Sequence, residues 1–273
     1  MRPHVVCLRI IAIALAASLT LLADSVVAQN QGPYTPEVGQ PGKDVVWVPT
    51  PQELVERMMD LANVTPQDFV IDLGSGDGRN VISAAKRGAR ALGVEFNPQM
   101  VELSKQNAAA AGVTDKATFV EGDMFKADIS QASVMALFLL PSHMTTLRPK
   151  FLALRPGSRI VSNTFTIEGW NADEMSNTGG NCQSWCTAYL WIVPANVAGT
   201  WRLPQGELAL TQEYQMLSGS LGQTPISDGR MRGDQIHFTV GPREFIGRVA
   251  VDRMEGTIRG DGPETAWTAA LVH

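Results

Sequence analysis

The sequence predicts an α/β protein, a doubly wound and mostly parallel sheet followed by a small antiparallel all-β module. Two observations predict the first half. Strand-length apolar runs at Phe69–Leu73, Ala91–Val94, Ala117–Val120, Val134–Leu140 and Arg159–Phe165 alternate with stretches of helical periodicity. Val134–Leu140 is also apolar almost throughout, as a strand covered on both faces must be. A third observation predicts the second half. After about Pro194 the chain turns into short runs, many alternating, with turn-forming pairs between them.

Taken in order, the chain opens with Arg2 and Arg9, then Ile10–Leu22, apolar or small apart from Ser18 and Thr20, then Val26-Val27-Ala28. This is the three-part layout of an export signal, expected over residues 1–28. Its 13-residue apolar run is shorter than the roughly 20 residues a membrane-spanning helix needs. The expectation is therefore an exported protein, attached to a membrane only if that segment stays uncleaved. Residues 29–44, rich in Gln, Gly and Pro, read as a linker.

Val45–Val48 is extended, and a helix follows from Pro51 with Thr50 expected as its cap. Asn80–Arg87 is the helix after the first strand. Asn97-Pro98 caps and starts the next helix, which Gly112 closes. A further helix is expected to begin at Pro149 and end at Pro156-Gly157. The α/β module is placed at 45–196 and an antiparallel meander, a small barrel or sandwich, at 197–273. Asp228-Gly229, Gly233-Asp234, Gly241-Pro242 and Gly260–Gly262 are read as its turns.

Composition excludes some classes. The 273 residues are 44% hydrophobic and 18% charged, enough apolar content for a sizeable core. A formal charge of −5 and the lack of a basic stripe argue against nucleic acid as a partner. No spacing suggests a metal centre. Cys182 and Cys186 could pair across Gln183-Ser184-Trp185 or remain as two thiols.

The chemistry concentrates in Phe69-Val70-Ile71-Asp72-Leu73-Gly74-Ser75-Gly76-Asp77-Gly78-Arg79, followed by Glu95 at the end of the next strand. Alternate glycines permit a tight strand-to-helix turn and close approach of a ligand. A dinucleotide turn has its third glycine three residues after the second, where this chain has Arg79. An acid just before the glycines, Asp72, suits a cationic ligand better than a pyrophosphate.

With Asp72, Glu95 and Asp123 in this order, the segment resembles motif I (D/E-x-G-x-G-x-G) and the motif II acid of class I S-adenosylmethionine methyltransferases, whose fold is Rossmann-like. The resemblance implies S-adenosylmethionine as cofactor. It places Asp72 with Gly74, Gly76 and Gly78 at the methionine portion, Glu95 at the ribose and Asp123 with Met124 at the adenine, with Ser75 and Phe96 as further cofactor-binding residues. Val48-Pro49-Thr50-Pro51, Leu139-Leu140-Pro141 and Leu147-Arg148-Pro149-Lys150 are similar to a branch that includes small protein-lysine methyltransferases, over residues 45–170. That branch implies a protein lysine as acceptor, with Leu139–His143 beside the transferred methyl. His143 is the one candidate for proton relay. Trp47 and Thr50 are further candidates for the pocket lining, while Trp170, Trp185 and Trp191 read as core. The alternative class is an exported, non-catalytic nucleoside-binding module whose β part holds a partner.

Overall fold

A computed structural model describes residues 34–179, 182–260 and 262–272. The expected export signal at 1–28 and the start of the linker lie outside the described residues. From residue 35 onward the chain forms one compact unit.

Its first half comprises α1 (Gln52–Leu61), β1 (Phe69–Leu73), α2 (Arg79–Lys86), β2 (Arg90–Glu95), α3 (Pro98–Ala110), β3 (Ala117–Glu121), β4 (Val134–Leu137), α4 (Pro141–Leu152), β5 (Arg159–Asn163), β6 (Glu174–Asn177) and β7 (Thr187–Ile192). The strands lie side by side in the order β3-β2-β1-β4-β5-β7-β6. The first five are parallel, and β7 and β6 join antiparallel. One face is covered by α1, α2 and α3, whose Leu54, Met58, Val81, Val101 and Ala108 pack on Val70, Val134 and Val161. The other is covered by α4 and the chain between β3 and β4, where Met144, Leu147, Phe151 and Ile129 pack on Ile71, Met135 and Ile160. Burial on both faces is why β4 is fully apolar. At the amino ends of the strands Asp68 accepts hydrogen bonds from Ser133 Oγ (2.7 Å) and Thr65 N (2.8 Å) and pairs with Arg159. That cluster fixes β1, β4 and β5 in register.

Several expectations need correction. Strand and helix do not alternate throughout: β3 leads to β4 through turns, and β5 is followed by two strands. The fourth helix starts at Pro141, not Pro149. Leu140 is extended (ψ 152°), as a residue before proline prefers, and Pro141 occupies the first turn, where no amide donor is needed. Pro149 sits inside the helix on its exposed side, while Met144, Leu147 and Phe151 form the buried stripe. Thr50 does not cap α1; Pro51 holds that position without a side-chain bond. Thr50 is buried instead, its hydroxyl accepting from Asn163 Nδ2 at 3.2 Å and its carbonyl from Arg79.

The second half runs β8 (Gly199–Leu203), β9 (Gly206–Glu213), β10 (Met216–Leu221), β11 (Thr224–Pro225), β12 (Ser227–Arg232), β13 (Gln235–Val240), β14 (Arg243–Ala250), β15 (Arg253–Gly260) and β16 (Gly262–Leu271). Each long strand pairs antiparallel with its sequence neighbour, and β16 returns to β8. The meander therefore closes into an up-and-down barrel, with β11 appended to β10. Alternation sends Trp201, Leu208, Met231, Phe238, Phe245, Met254 and Trp267 inward. Arginine, glutamate and threonine occupy the exposed positions of these strands, for example Arg202, Thr211, Arg232 and Glu255. A lipid-facing barrel needs the reverse arrangement. Asp228-Gly229 is not a turn but a bulge within β12, with Asp228 at φ 53°.

Phe238 and Phe245 stack at 4.7 Å, and Trp267 meets both rings edge-on. Space for the indole comes from Gly247 and Gly256, which face each other across β14 and β15, with Gly256 opposite Trp267. A Cβ on Gly247 would lie 2.7 Å from the indole, and one on Gly256 would lie 1.9 Å from the Ile246 carbonyl. The barrel is joined to the first sheet by Trp170 stacked on Tyr214 (5.6 Å), by Arg230 on Asp173 (2.7 Å) and by Gln215 bonded to the Asn171 carbonyl (2.8 Å).

Gly256→Ala is expected to destabilise the protein by about 1–3 kcal/mol, because backbone must shift to admit the methyl group. Thermal unfolding of the variant beside the parent checks this; an unchanged melting temperature would mean that the close approach is not a constraint.

Candidate functional site

The carboxyl ends of the parallel strands open into a cleft. Across it, in sheet order, lie the chain after β3 (Gly122, Asp123, Met124), the end of β2 (Val94, Glu95, Phe96), the turn after β1 (Gly74), the chain after β4 (Phe138, Leu139, Leu140), Phe165 after β5, and Trp185 before β7. Residues 40–48 form the outer wall, with Met100 of α3 beside them. This is the position where open parallel sheets bind ligands, because the strand order reverses beside β1.

The turn between β1 and α2 is held by its glycines. Gly74, Gly76 and Gly78 all have positive φ (71°, 55° and 84°). A Cβ on Gly76 would lie 2.7 Å from the Trp47 indole nitrogen, and one on Gly78 would lie 2.7 Å from Phe119. Glu95 locks this turn: its Oε2 accepts the Gly76 amide and its Oε1 the Asn97 amide, both at 2.9 Å. Two oxygens can accept about four hydrogen bonds. Glu95 also lines the cleft, so remaining lone pairs can accept a ligand's hydroxyls.

Asp72 is placed differently from Glu95. It is nearly inaccessible and lies beneath the turn, where Asn80 Nδ2 donates to it at 3.1 Å. Burial pushes its carboxyl well above the usual carboxylate range. Glu95 and Asp77 add to that shift, and the Asn80 bond opposes it. Ser75 and Asn80 are buried nearby, each with a side-chain oxygen lacking a hydrogen-bond partner.

At the β3 side Asp123 accepts the Phe125 amide (2.9 Å) and pairs with Lys43 Nζ (2.8 Å). That lysine also lies 4.9 Å over the Phe96 ring. The hydrogen bond between them holds the Asp123 carboxyl below its usual range and raises the Lys43 ammonium above its own.

Of the nine residues expected at a cofactor, Gly74, Glu95, Phe96, Asp123 and Met124 line the cleft. Ser75, Gly76 and Gly78 shape the turn from behind, and Asp72 lies below it. His143 is not in the cleft wall; it packs edge-on to Phe125 at 5.5 Å on α4. Trp170 and Trp191 are core, but Trp185 is partly exposed and lines the cleft, contrary to expectation. Lys43, Phe138 and Phe165 escape sequence reading. Lys43 falls in a low-information linker, and the two phenylalanines look like strand interior.

The site fits S-adenosylmethionine. A bare main-chain turn, a fixed carboxylate for a ribose diol, a second acid with apolar neighbours for a base, and acids rather than lysines at the strand ends all suit a cationic nucleoside. Comparison with known proteins agrees. Residues 72–174 match the family model described as the ANTKMT methyltransferase domain. A protein-lysine N-methyltransferase of Saccharolobus islandicus is 42% identical over 153 residues, 55% of this chain and 94% of that protein. The mouse adenine nucleotide translocase lysine N-methyltransferase is 36% identical over 118 residues, 42% of this chain. The chain thus spans about half (51%) of that relative's length. A structure described as an RNA methyltransferase from Salinibacter ruber with S-adenosyl-L-homocysteine is 43% identical. It covers 55% of this chain and 96% of its own, with a TM-score of 0.51.

The buried acid makes a stability prediction whose sign is opposite to that of a paired carboxylate. With its folded-state pKa raised, Asp72 binds more protons when folded, so its contribution falls as pH climbs from the unfolded value near ~4 through the folded one. Asp72→Asn keeps an acceptor for Asn80 and removes the titration. Its melting temperature should equal or exceed the parent's at pH 8 and vary less between pH 5 and 8; a lower melting temperature at pH 8 would contradict this placement.

Proposed function

The chain belongs to the class I S-adenosylmethionine-dependent methyltransferases, related to the protein-lysine methyltransferases, and on that premise we propose that it methylates lysine side chains of a protein. The carrying observation is the half of the cleft beyond β1. Phe138, Leu139, Leu140, Phe165 and Trp185 wall it, an apolar lining suited to the alkyl stem of a lysine. The names of the Saccharolobus and mouse relatives support the same acceptor. The Salinibacter structure's description as an RNA methyltransferase raises a second reading, which the chain's net charge of −5 disfavours.

In this reading Glu95 holds the ribose, and Asp123, Met124 and Phe96 frame the adenine. The Gly74–Gly78 turn, with Asp72 behind it, receives the methionine end. When bound, S-adenosylmethionine supplies a methyl group on a sulfonium. The chain's own part is to align an amine with it and to exclude water. An apolar wall disfavours the ammonium form and so favours the neutral amine that can accept a methyl group. Among the described residues lining that half, none titrates, so the amine loses its proton to solvent. We further read residues 1–28 as an export signal and residues 197–273 as a separate all-β module.

Three measurements test this. Incubating the purified chain with methyl-labelled S-adenosylmethionine and an envelope extract should label protein, with label recovered as methyl-lysine after hydrolysis; label confined to RNA would overturn the lysine reading. By calorimetry, Glu95→Ala should bind S-adenosylhomocysteine about ten- to a hundredfold more weakly, since a hydrogen-bonded charge contributes ~1.5–3 kcal/mol; parental affinity would refute the assignment of Glu95. The single-turnover rate should rise about tenfold per pH unit above pH 7 and level off below the ~10.4 of free lysine, because the apolar wall lowers the amine's pKa. A bell with a limb near pH 6–7 would instead reveal a catalytic histidine.

A further inference from the structure

Two residues beside the acceptor half of the cleft have backbone conformations that side chains rarely adopt. Thr164 has φ 58° and Trp185 has φ 60°. The Thr164 amide bonds the Thr187 carbonyl at 2.7 Å, just past the end of β5, and the chain there turns Phe165 into the cleft. Trp185 lies inside the small ring closed by the Cys182–Cys186 disulfide, which immediately precedes β7. Strain of this kind gathers where a side chain is held for function.

What these residues hold is a set of rings. Phe165 stacks on Phe138 at 5.8 Å (interplanar angle 17°). Trp185 lies against Phe138 at 5.3 Å (63°) and Phe165 at 5.6 Å (57°). All three are only partly buried and line the cleft. None carries a hydroxyl, and no carboxylate lines this half among the described residues. The acids Asp44, Glu95 and Asp123 belong to the other half and the outer wall. Phe138 and Phe165 each turn one face to the other, and a group received here meets what the three rings leave open. Aromatic faces carry a negative quadrupole that attracts cations, alkylated ammonium above all.

We propose that Phe138, Phe165 and Trp185 form an aromatic box for the acceptor's ammonium group after methylation, and that the Cys182–Cys186 bridge holds Trp185 in place as one of its walls. This rests on the lysine reading above. Methylation uses the nitrogen's lone pair to form the new N–C bond, the electrons of the broken C–S bond stay on sulfur, and the positive charge ends on nitrogen. The box meets that charge with faces that cost no proton transfer. An N-methylated ammonium, larger and more weakly hydrated than –NH3⁺, fits such faces better than the unmodified side chain does.

The test is calorimetric, on the purified full chain saturated with S-adenosylhomocysteine. The probes are Nα-acetyl-trimethyl-lysine methylamide and its neutral tert-butyl isostere. The cation should bind about tenfold tighter than the isostere, as expected for a desolvated cation over aromatic faces. Trp185→Ala should bring that ratio close to one, and Trp185→Phe should retain most of it. Cys182→Ser with Cys186→Ser should lower it several-fold without altering S-adenosylhomocysteine affinity. Equal binding of the two probes by the parent, or an unchanged ratio in Trp185→Ala, overturns the box. A parental ratio in the double serine variant overturns the role of the bridge. Labelled lysine with no cation preference removes the box and keeps the acceptor reading. Cation preference that depends on Trp185, with no lysine labelled, does the reverse.

Discussion

The carboxylate of Glu95 organises the site. It accepts one amide from the glycine turn after β1 and another from the residue that caps α3, so two βα units are fixed to one side chain. Asn97 completes the joint by accepting the Gln99 amide with its own side chain. A group committed to main-chain donors on its inner side is already oriented before any ligand arrives. Orientation fixed in advance leaves little ordering for the moment of binding, which is how a carboxylate gains selectivity as an acceptor.

Around that joint the cleft is divided by β1 into two kinds of surface. On the β2–β3 side lie acids, a lysine and Phe96; on the β4–β5–β7 side lie leucines and rings. The division follows from topology. Strand order reverses beside β1, so the chain leaving β2 and β3 and the chain leaving β4 and β5 diverge to either side of the turn. The sheet thus supplies two different environments along one edge, a polar one that suits a nucleoside and an apolar one beside it.

The parallel half of the fold is legible in the sequence because its signals are local: apolar runs of strand length, glycines at alternate positions, and Asn97-Pro98 at a helix start. The start of α4 is ambiguous there because Pro149 carries the same local signal as Pro141, and only the burial of Met144, Leu147 and Phe151 on the sheet decides between them. The strands β6 and β7 have no such signature; β6 is mostly exposed and β7 is recognisable only by its partner β5. At the site, Glu95 and Asp123 are betrayed by their place after strands. Asp72 is visible as a residue but not as an environment, since its burial depends on Asn80 and on the helix above it. Lys43, Phe138 and Phe165 stay hidden because their chemistry exists only once distant segments converge. The spacing of the C-terminal strands allows a barrel or a sandwich, and only the pairing of β16 with β8, which joins residues some 70 positions apart, decides for the barrel.

That seam shapes how the molecule comes into being. The other barrel pairings link strands adjacent along the chain, or, for β10 and β12, strands separated only by the short β11, so each is a local contact that can form early. The cylinder itself stays open until Ala270 and Leu271 reach Arg202 and Trp201. Until then the inner faces of its strands, Trp267 among them, stay uncovered. A chain with that seam unsealed presents an adhesive apolar concavity, the kind of surface a chaperone binds.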